Sequence, residues 1–274
     1  MIEMLSLGFL QRALVAGVLV SLLCGVLSTF VVLRRMAFIG VGISHSAFGG
    51  VALGLLLGVD PLLSGIGFAV LVALAIEYAQ SHTRIEEDTA IGILFAASMA
   101  LGLVFLHLSR AYNVDVFGFL FGNLLAIGPR QVGEIAVITV AVLGWLLAFY
   151  KELVFLSFDE EMAWVSGVPV QLLRYLFLVM LALVVMVTIY LAGIILVSAL
   201  LVIPGAIAQN LSRRLPGMVW TAGVTAVGAT VGGLAASFAL DFPSGATIVL
   251  ILAGAYFLTI AWRPLGARLK PPAK

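Results

Sequence analysis

Charge is what this chain has least of. Only 10% of its 274 residues are Asp, Glu, Lys or Arg, against about 25% in soluble domains. Hydrophobic residues make up 63%, and the mean hydropathy is +1.24. That leaves too little polar surface to cover a soluble fold, and the apolar runs leave little room for a soluble domain. Basic and acidic residues nearly cancel, at 14 against 13, so net charge points to neither nucleic acid nor an acidic partner. The single cysteine, Cys24, sits inside an apolar run. It excludes an internal disulfide and says little about redox compartment. Catalytic signatures are missing as well. No GxxxxGK[ST] loop is present, which excludes nucleotide hydrolysis by that route. No HExxH occurs, and the three histidines, His45, His82 and His107, stand at no metalloprotease spacing. No GxSxG elbow is found. Nothing nominates an enzyme.

What is present is a series of long apolar runs. Crossing a bilayer core about 30 Å thick takes roughly 20 apolar residues. Runs of that kind lie at 9–33, 43–58, 61–80, 89–109, 131–150, 172–191, 193–210, 218–240 and 245–262. The expected fold is an all-α polytopic membrane protein with about nine transmembrane helices, eight being the alternative, in a single transmembrane domain over 1–274. The first run is too long, and too free of a small-residue cleavage signature, to read as a signal peptide. Basic residues set the orientation. With the N-terminus outside, Arg34, Arg35, Arg84, Lys151, Arg174, Arg213, Arg214, Arg263, Arg268, Lys270 and Lys274 fall inside, eleven of the 14. An eight-pass chain would need a re-entrant segment. The stretch "YNVDVFGFLFGNLLAIGP" (112–129) is apolar, short and glycine-broken enough to be one.

Small residues four apart recur at Gly50, Gly54 and Gly58, at Gly228 and Gly232, and at Gly118 and Gly122. Such spacing lets helices approach closely, as ordinary packing or as a dimer face or pore lining. Polar groups inside spans are expensive and mark pathways, which favours transport. The stretch "RRMAFIGVGISHSAFGGVALG" (34–54) places Ser44, His45 and Ser46 among the first helical residues of the second span, with Gly49 and Gly50 following. His45 reads either as a metal ligand or as a hydrogen-bonded residue at a helix junction. His107, near the outer end of its span, and His82, in an inside loop, read as structural or interfacial. The outside acids Asp60, Asp115 and Asp241 could concentrate cations at a pore mouth or serve as loop and cap residues. Glu77 is an intramembrane carboxylate by position, or a snorkelling one.

The longest polar interruption, "YKELVFLSFDEEMAWVSGVPVQLLRY" (150–175), contains Asp159, Glu160 and Glu161, with Ala163 and Gly167 completing an E-x-A-x3-G spacing. It is similar to the E-A-A-x3-G element with which ABC importer permeases dock into their ATPase, where a small residue and a glycine turn let a short helix seat in a groove. Without that context it is a solvated amphipathic loop.

Further stretches extend the likeness. "VVLRRMAFIGVGISHSAFGGVALG" (31–54), "EEDTAIGILFAASMALGLV" (86–104) and "AGIILVSALLVIPGAIAQNLSRRL" (192–215), with "LSFDEEMAWVSGVP" (156–169) and "FGFLFGNLL" (117–125), resemble in order and spacing the permeases of bacterial zinc, manganese and iron ABC importers. The resemblance implies a fold similar to the cobalamin and siderophore importer permeases. It implies a homodimer around a central pore in the bacterial cytoplasmic membrane, with membrane lipid around it. A separate ATPase dimer sits beneath and carries the ATP, an extracytoplasmic metal-binding protein delivers the ion, and no nucleic acid is involved. No cofactor is bound permanently; the divalent metal ion is cargo. The rivals are a permease for a metal chelate and an ion-coupled secondary carrier, although the latter would more often show paired half-molecules and mid-span charges.

The resemblance has one departure. Family members carry G-D-x-x-S-H, whereas here Gly40, Ser44 and His45 match but Val41 stands at the Asp position. Residues four apart share a helix face, so carboxylate and imidazole could hold one cation together. With valine there, His45 is a lone and weak ligand, which suits a pore that must release its ion.

Overall fold

The computed structural model describes residues 8–83, 85–109 and 127–267. Among them the chain runs through α1 (Gly8–Leu33), α2 (Ile39–Leu57), α3 (Pro61–His82), α4 (Glu87–Ser109), α5 (Pro129–Ala148), α6 (Tyr150–Phe158), α7 (Glu160–Val165), α8 (Val170–Leu200), α9 (Ile203–Leu211), α10 (Leu215–Leu240) and α11 (Ser244–Ala267). The described residues hold nine helical stretches long and apolar enough to cross a membrane. Asp115, Gly118, Gly122 and the re-entrant candidate up to residue 126 lie outside the described residues.

The elements begin and end where the local chemistry says they should. Asp60 caps α3: its Oδ1 accepts from the Leu62 and Leu63 amides at 2.8 and 3.1 Å, and Pro61 supplies a first-turn residue with no amide to satisfy. The second span differs from the expected 43–58. It starts at Ile39, because a tight turn anchored by Met36 N–H to the Val31 carbonyl (2.9 Å) lets the helix restart at once. His45 therefore lies almost two turns into α2 rather than among its first residues.

α1 and α8 form the heart of the bundle, where Leu27, Phe30, Phe177 and Leu178 are fully buried. Outward faces of α4, α5 and α11 display Leu103, Val140 and Phe257, the apolar exposure expected of a surface that meets lipid. α2 is clasped between α3 and α4.

The expected spans 172–191 and 193–210 correspond to the spans Val170–Ile189 and Ala192–Leu211, which meet inside α8 at Gly193, whose φ of 79° and ψ of 164° are reached without penalty only by glycine. The bend reverses the chain. Before it, Phe177 sits under the Arg34 guanidinium, 5.0 Å from the ring centroid. After it, Ala208 packs in a cluster with Met218 and Ala222, against which Leu33 rests. Both arms thus return to the Arg34 end of α1, called the basic end below.

Candidate ion path and docking element

Two regions hold the residues the sequence singled out. The first is α2. Ser44 Oγ donates to the Gly40 carbonyl, and Ser46 is buried with no partner for its hydroxyl among the described residues. The His45 ring meets Phe95 of α4 edge-on, with centroids 5.1 Å apart. His45 Nδ1–H donates to the Val41 carbonyl at 2.9 Å. That bond fixes the tautomer and leaves the Nε2 lone pair as the donor available to a cation. Val41, at the position where a carboxylate would pair with the imidazole, contributes only its carbonyl, and that to Nδ1.

The glycines of α2 set its depth in the bundle. A Cβ on Gly50 would lie 2.8 Å from the Gly65 Cα, and one on Gly54 would lie 3.0 Å from the Pro61 Cα. A Cβ on Gly49 would lie 2.8 Å from the Ser98 carbonyl oxygen of α4. These three hold α2 against its own neighbours α3 and α4. Gly58 does not extend the stripe; it closes α2 in a left-handed cap. Gly228 and Gly232 of α10 meet nothing within 4 Å in the protomer.

The second region is the basic end, where α6, α7 and the turn after them project from the bundle. Asp159 caps α7, its Oδ1 accepting from Met162 N–H at 2.9 Å. Gly167, at φ 83°, turns the chain toward α8. Ala163 has no exposed surface and packs with Leu156, Val170 and Leu173. The small residue of E-x-A-x3-G therefore seats the helix on its own protein, and it is not part of the outer surface as the groove-seating reading requires. The outward surface is instead Phe158, Met162, Trp164 and Val165, each more than half exposed, beside the exposed Glu161. Bulky apolar side chains displayed next to charges are a feature of surfaces that meet a protein or a membrane.

Glu160 does not share that outward role. Its Oε1 lies 2.8 Å from Arg174 Nη1, and Arg174 Nε lies 2.8 Å from Oε1 of Glu77, a carboxylate 2% exposed. Glu77 is thus paired rather than snorkelling. Sequence reasoning placed Glu77 and Arg174 separately and missed that they meet. The only signal was an acid at the inner end of one span and a base at the same level of another.

The remaining candidates have structural positions. His82 is the last residue of α3 rather than a loop residue, and it stacks on Tyr78 with centroids 4.2 Å apart. His107 lies exposed in the last turn of α4. Asp60 caps α3, and Asp241 closes α10 in a left-handed conformation. Among the described residues no three His, Cys, Asp or Glu side chains gather as a metal site.

A lipid-facing bundle with an imidazole and a buried ion pair inside it is built as a membrane transport subunit. The comparisons narrow that class. The profile of the ABC 3 transport family matches residues 6–263, and the chain belongs to that family. It is 38% identical over 262 residues to the manganese transport system membrane protein MntC of Halalkalibacterium halodurans, covering 96% of this chain and 90% of that one. It is 32% identical over 248 residues to the high-affinity zinc uptake system membrane protein ZnuB of Haemophilus influenzae, covering 90% and 95%. Among solved structures, PsaBC from Streptococcus pneumoniae in complex with Fab superposes with a TM-score of 0.83 at 33% identity, covering 94% of this chain and 95% of that one. The chain is a multi-pass ABC transporter permease and not an enzyme.

Proposed function

We propose that this permease imports a bare divalent transition-metal ion, with manganese and zinc the first cargoes to test. The observation that carries the reading is its end-to-end likeness to a manganese transport membrane protein, 38% identical across 96% of the chain. Two copies pair around a pore in the bacterial cytoplasmic membrane, an ATPase dimer binds and hydrolyses ATP at the basic end, and an extracytoplasmic protein delivers the ion. The basic end is cytoplasmic, as the distribution of arginines and lysines favours. The whole chain serves as one permease domain.

Within that frame His45 is the cation contact. Its Nε2 presents a neutral nitrogen, a ligand well suited to zinc and acceptable to manganese or iron(II). One nitrogen with no carboxylate at Val41 binds weakly, and weak binding favours release into the next compartment. α7 is the docking element. Asp159 and Gly167 fix its two ends, Ala163 seats it, and Trp164 and Val165 present the surface the ATPase covers.

Reconstitution tests the reading. Purified permease with its ATPase in proteoliposomes is expected to accumulate free manganese or zinc only when ATP is present. Accumulation of a metal–siderophore complex in preference to the free ion would give the chelate reading. Uptake without the ATPase subunit would give the secondary-carrier reading.

A further inference from the structure

One guanidinium joins three helices at the basic end. Arg174 of α8 reaches Glu77 of α3 through Nε and Glu160 of α7 through Nη1, both at 2.8 Å, and its Nη2 donates to the side-chain Oε1 of Gln80 of α3 at 3.2 Å. The side chains grade from 2% exposed at Glu77 through 21% at Arg174 to 47% at Glu160. A line of charge therefore runs from the bundle interior to the docking element. Arginine's planar fork can hold several acceptors at once in fixed directions, which a lysine cannot.

Stability alone gives such a pair little purpose. A buried ion pair adds little compared with apolar residues of the same size, and every neighbouring position in this chain could have been apolar. Mechanics gives it more. α7 is joined to α6 through Asp159 alone and to α8 through the Gly167 turn, and its inward contacts are the small Ala163 cluster and Arg174. A cleft of about 260 Å³ lies beside the linkage, lined by Arg34, Arg35, Ser157 and Phe158 among others. α3, at the other end, touches α2 backbone to backbone at Gly50 and Gly54.

We propose that the Glu77–Arg174–Glu160 linkage transmits motion of α7 to α3 and α8, making Arg174 the positioning residue that couples ATP hydrolysis to movement around His45. This rests on α7 being the docking element.

The test measures metal ions taken up per ATP hydrolysed, in proteoliposomes holding the permease–ATPase complex with manganese as cargo. Arg174→Lys keeps the buried positive charge beside Glu77 but cannot span both carboxylates. The double change Glu77→Gln with Arg174→Gln removes the two charges of the pair together, so neither is left buried without the other. Both variants are expected to fold, retain the ATPase and hydrolyse ATP, while uptake per ATP falls about tenfold. Wild-type uptake per ATP in the double variant overturns the linkage. Trp164→Asp with Val165→Asp is run in parallel. If that variant keeps the ATPase bound and coupled, the docking reading fails; if it sheds the ATPase while the double variant couples normally, only the linkage fails.

Discussion

α2 and α7 are positioned by opposite means. α2 is fixed by what its residues lack: Gly49, Gly50 and Gly54 let backbones of neighbouring helices approach to distances at which a Cβ would collide, and no ion pair is involved. α7 is fixed by polar groups, with Asp159 at its cap and Glu160 on Arg174, plus one buried alanine. Steric contact of the first kind has no range, because a small displacement becomes a clash. Charge contacts of the second kind act over several ångströms at the membrane surface and tolerate reorientation. The difference fits the proposed roles, in which His45 is held at a set depth while α7 serves as the docking element.

The comparison can be broken most severely at α7. Trp164→Asp with Val165→Asp puts charge on an apolar contact surface without disturbing the protomer, since both side chains are largely exposed. ATPase association, measured by co-purification and titration, is expected to weaken about 100-fold, with the permease's own melting temperature unchanged. A fall in melting temperature as large as the fall in binding would show that these residues support the fold instead.

At α2 the largest expected effect is on transport. His45→Ala should lower metal uptake at least about tenfold, since even groups that merely orient a metal ligand are worth that much. The complex should still assemble. His45→Asp should retain part of the uptake, because a carboxylate also binds these cations. Normal uptake by His45→Ala would remove this residue from the path.

Stability measurements sharpen the contrast further. Gly50→Ala is expected to cost about 1–3 kcal/mol, because its new methyl meets the Phe68 Cβ and the backbone of Gly65 and Ser64, none of which can turn aside. Gly92→Ala on α4, with open space around it, should change stability by less than about 0.5 kcal/mol. Equal effects in the two variants would mean that α2 is not held by close approach. A loss below that at Gly50 is expected from Asp60→Ala, which removes the cap of α3 and should cost about 1 kcal/mol.

Much of this was legible in the sequence, for physical reasons. Apolar runs of about 20 residues match the bilayer core, and the nine read from the sequence correspond to the nine spans among the described residues, most boundaries falling within a few residues. The early start of α2 is the exception, because the turn that lets the helix restart at Ile39 depends on backbone geometry at Met36, which composition does not show. The proposed docking element stood out because Asp159, Glu160 and Glu161 interrupt an apolar chain. Its orientation was not visible, and Ala163 turned out to face inward because a six-residue helix buries only one side. The Glu77–Arg174 pair was hidden for a different reason: ion pairs between helices distant in sequence leave no periodic trace. His45 was found from its motif, while the bond from its Nδ1 to the Val41 carbonyl became visible only with the helix built.

The account stands or falls on ATP-driven metal uptake through this chain. The most direct measurement is manganese and zinc accumulation in proteoliposomes containing the permease and its ATPase, with and without ATP, beside the Trp164→Asp, Val165→Asp variant. Accumulation that requires ATP and disappears in the variant is the expected result. Accumulation of equal size without ATP, or unaffected by the variant, would contradict it.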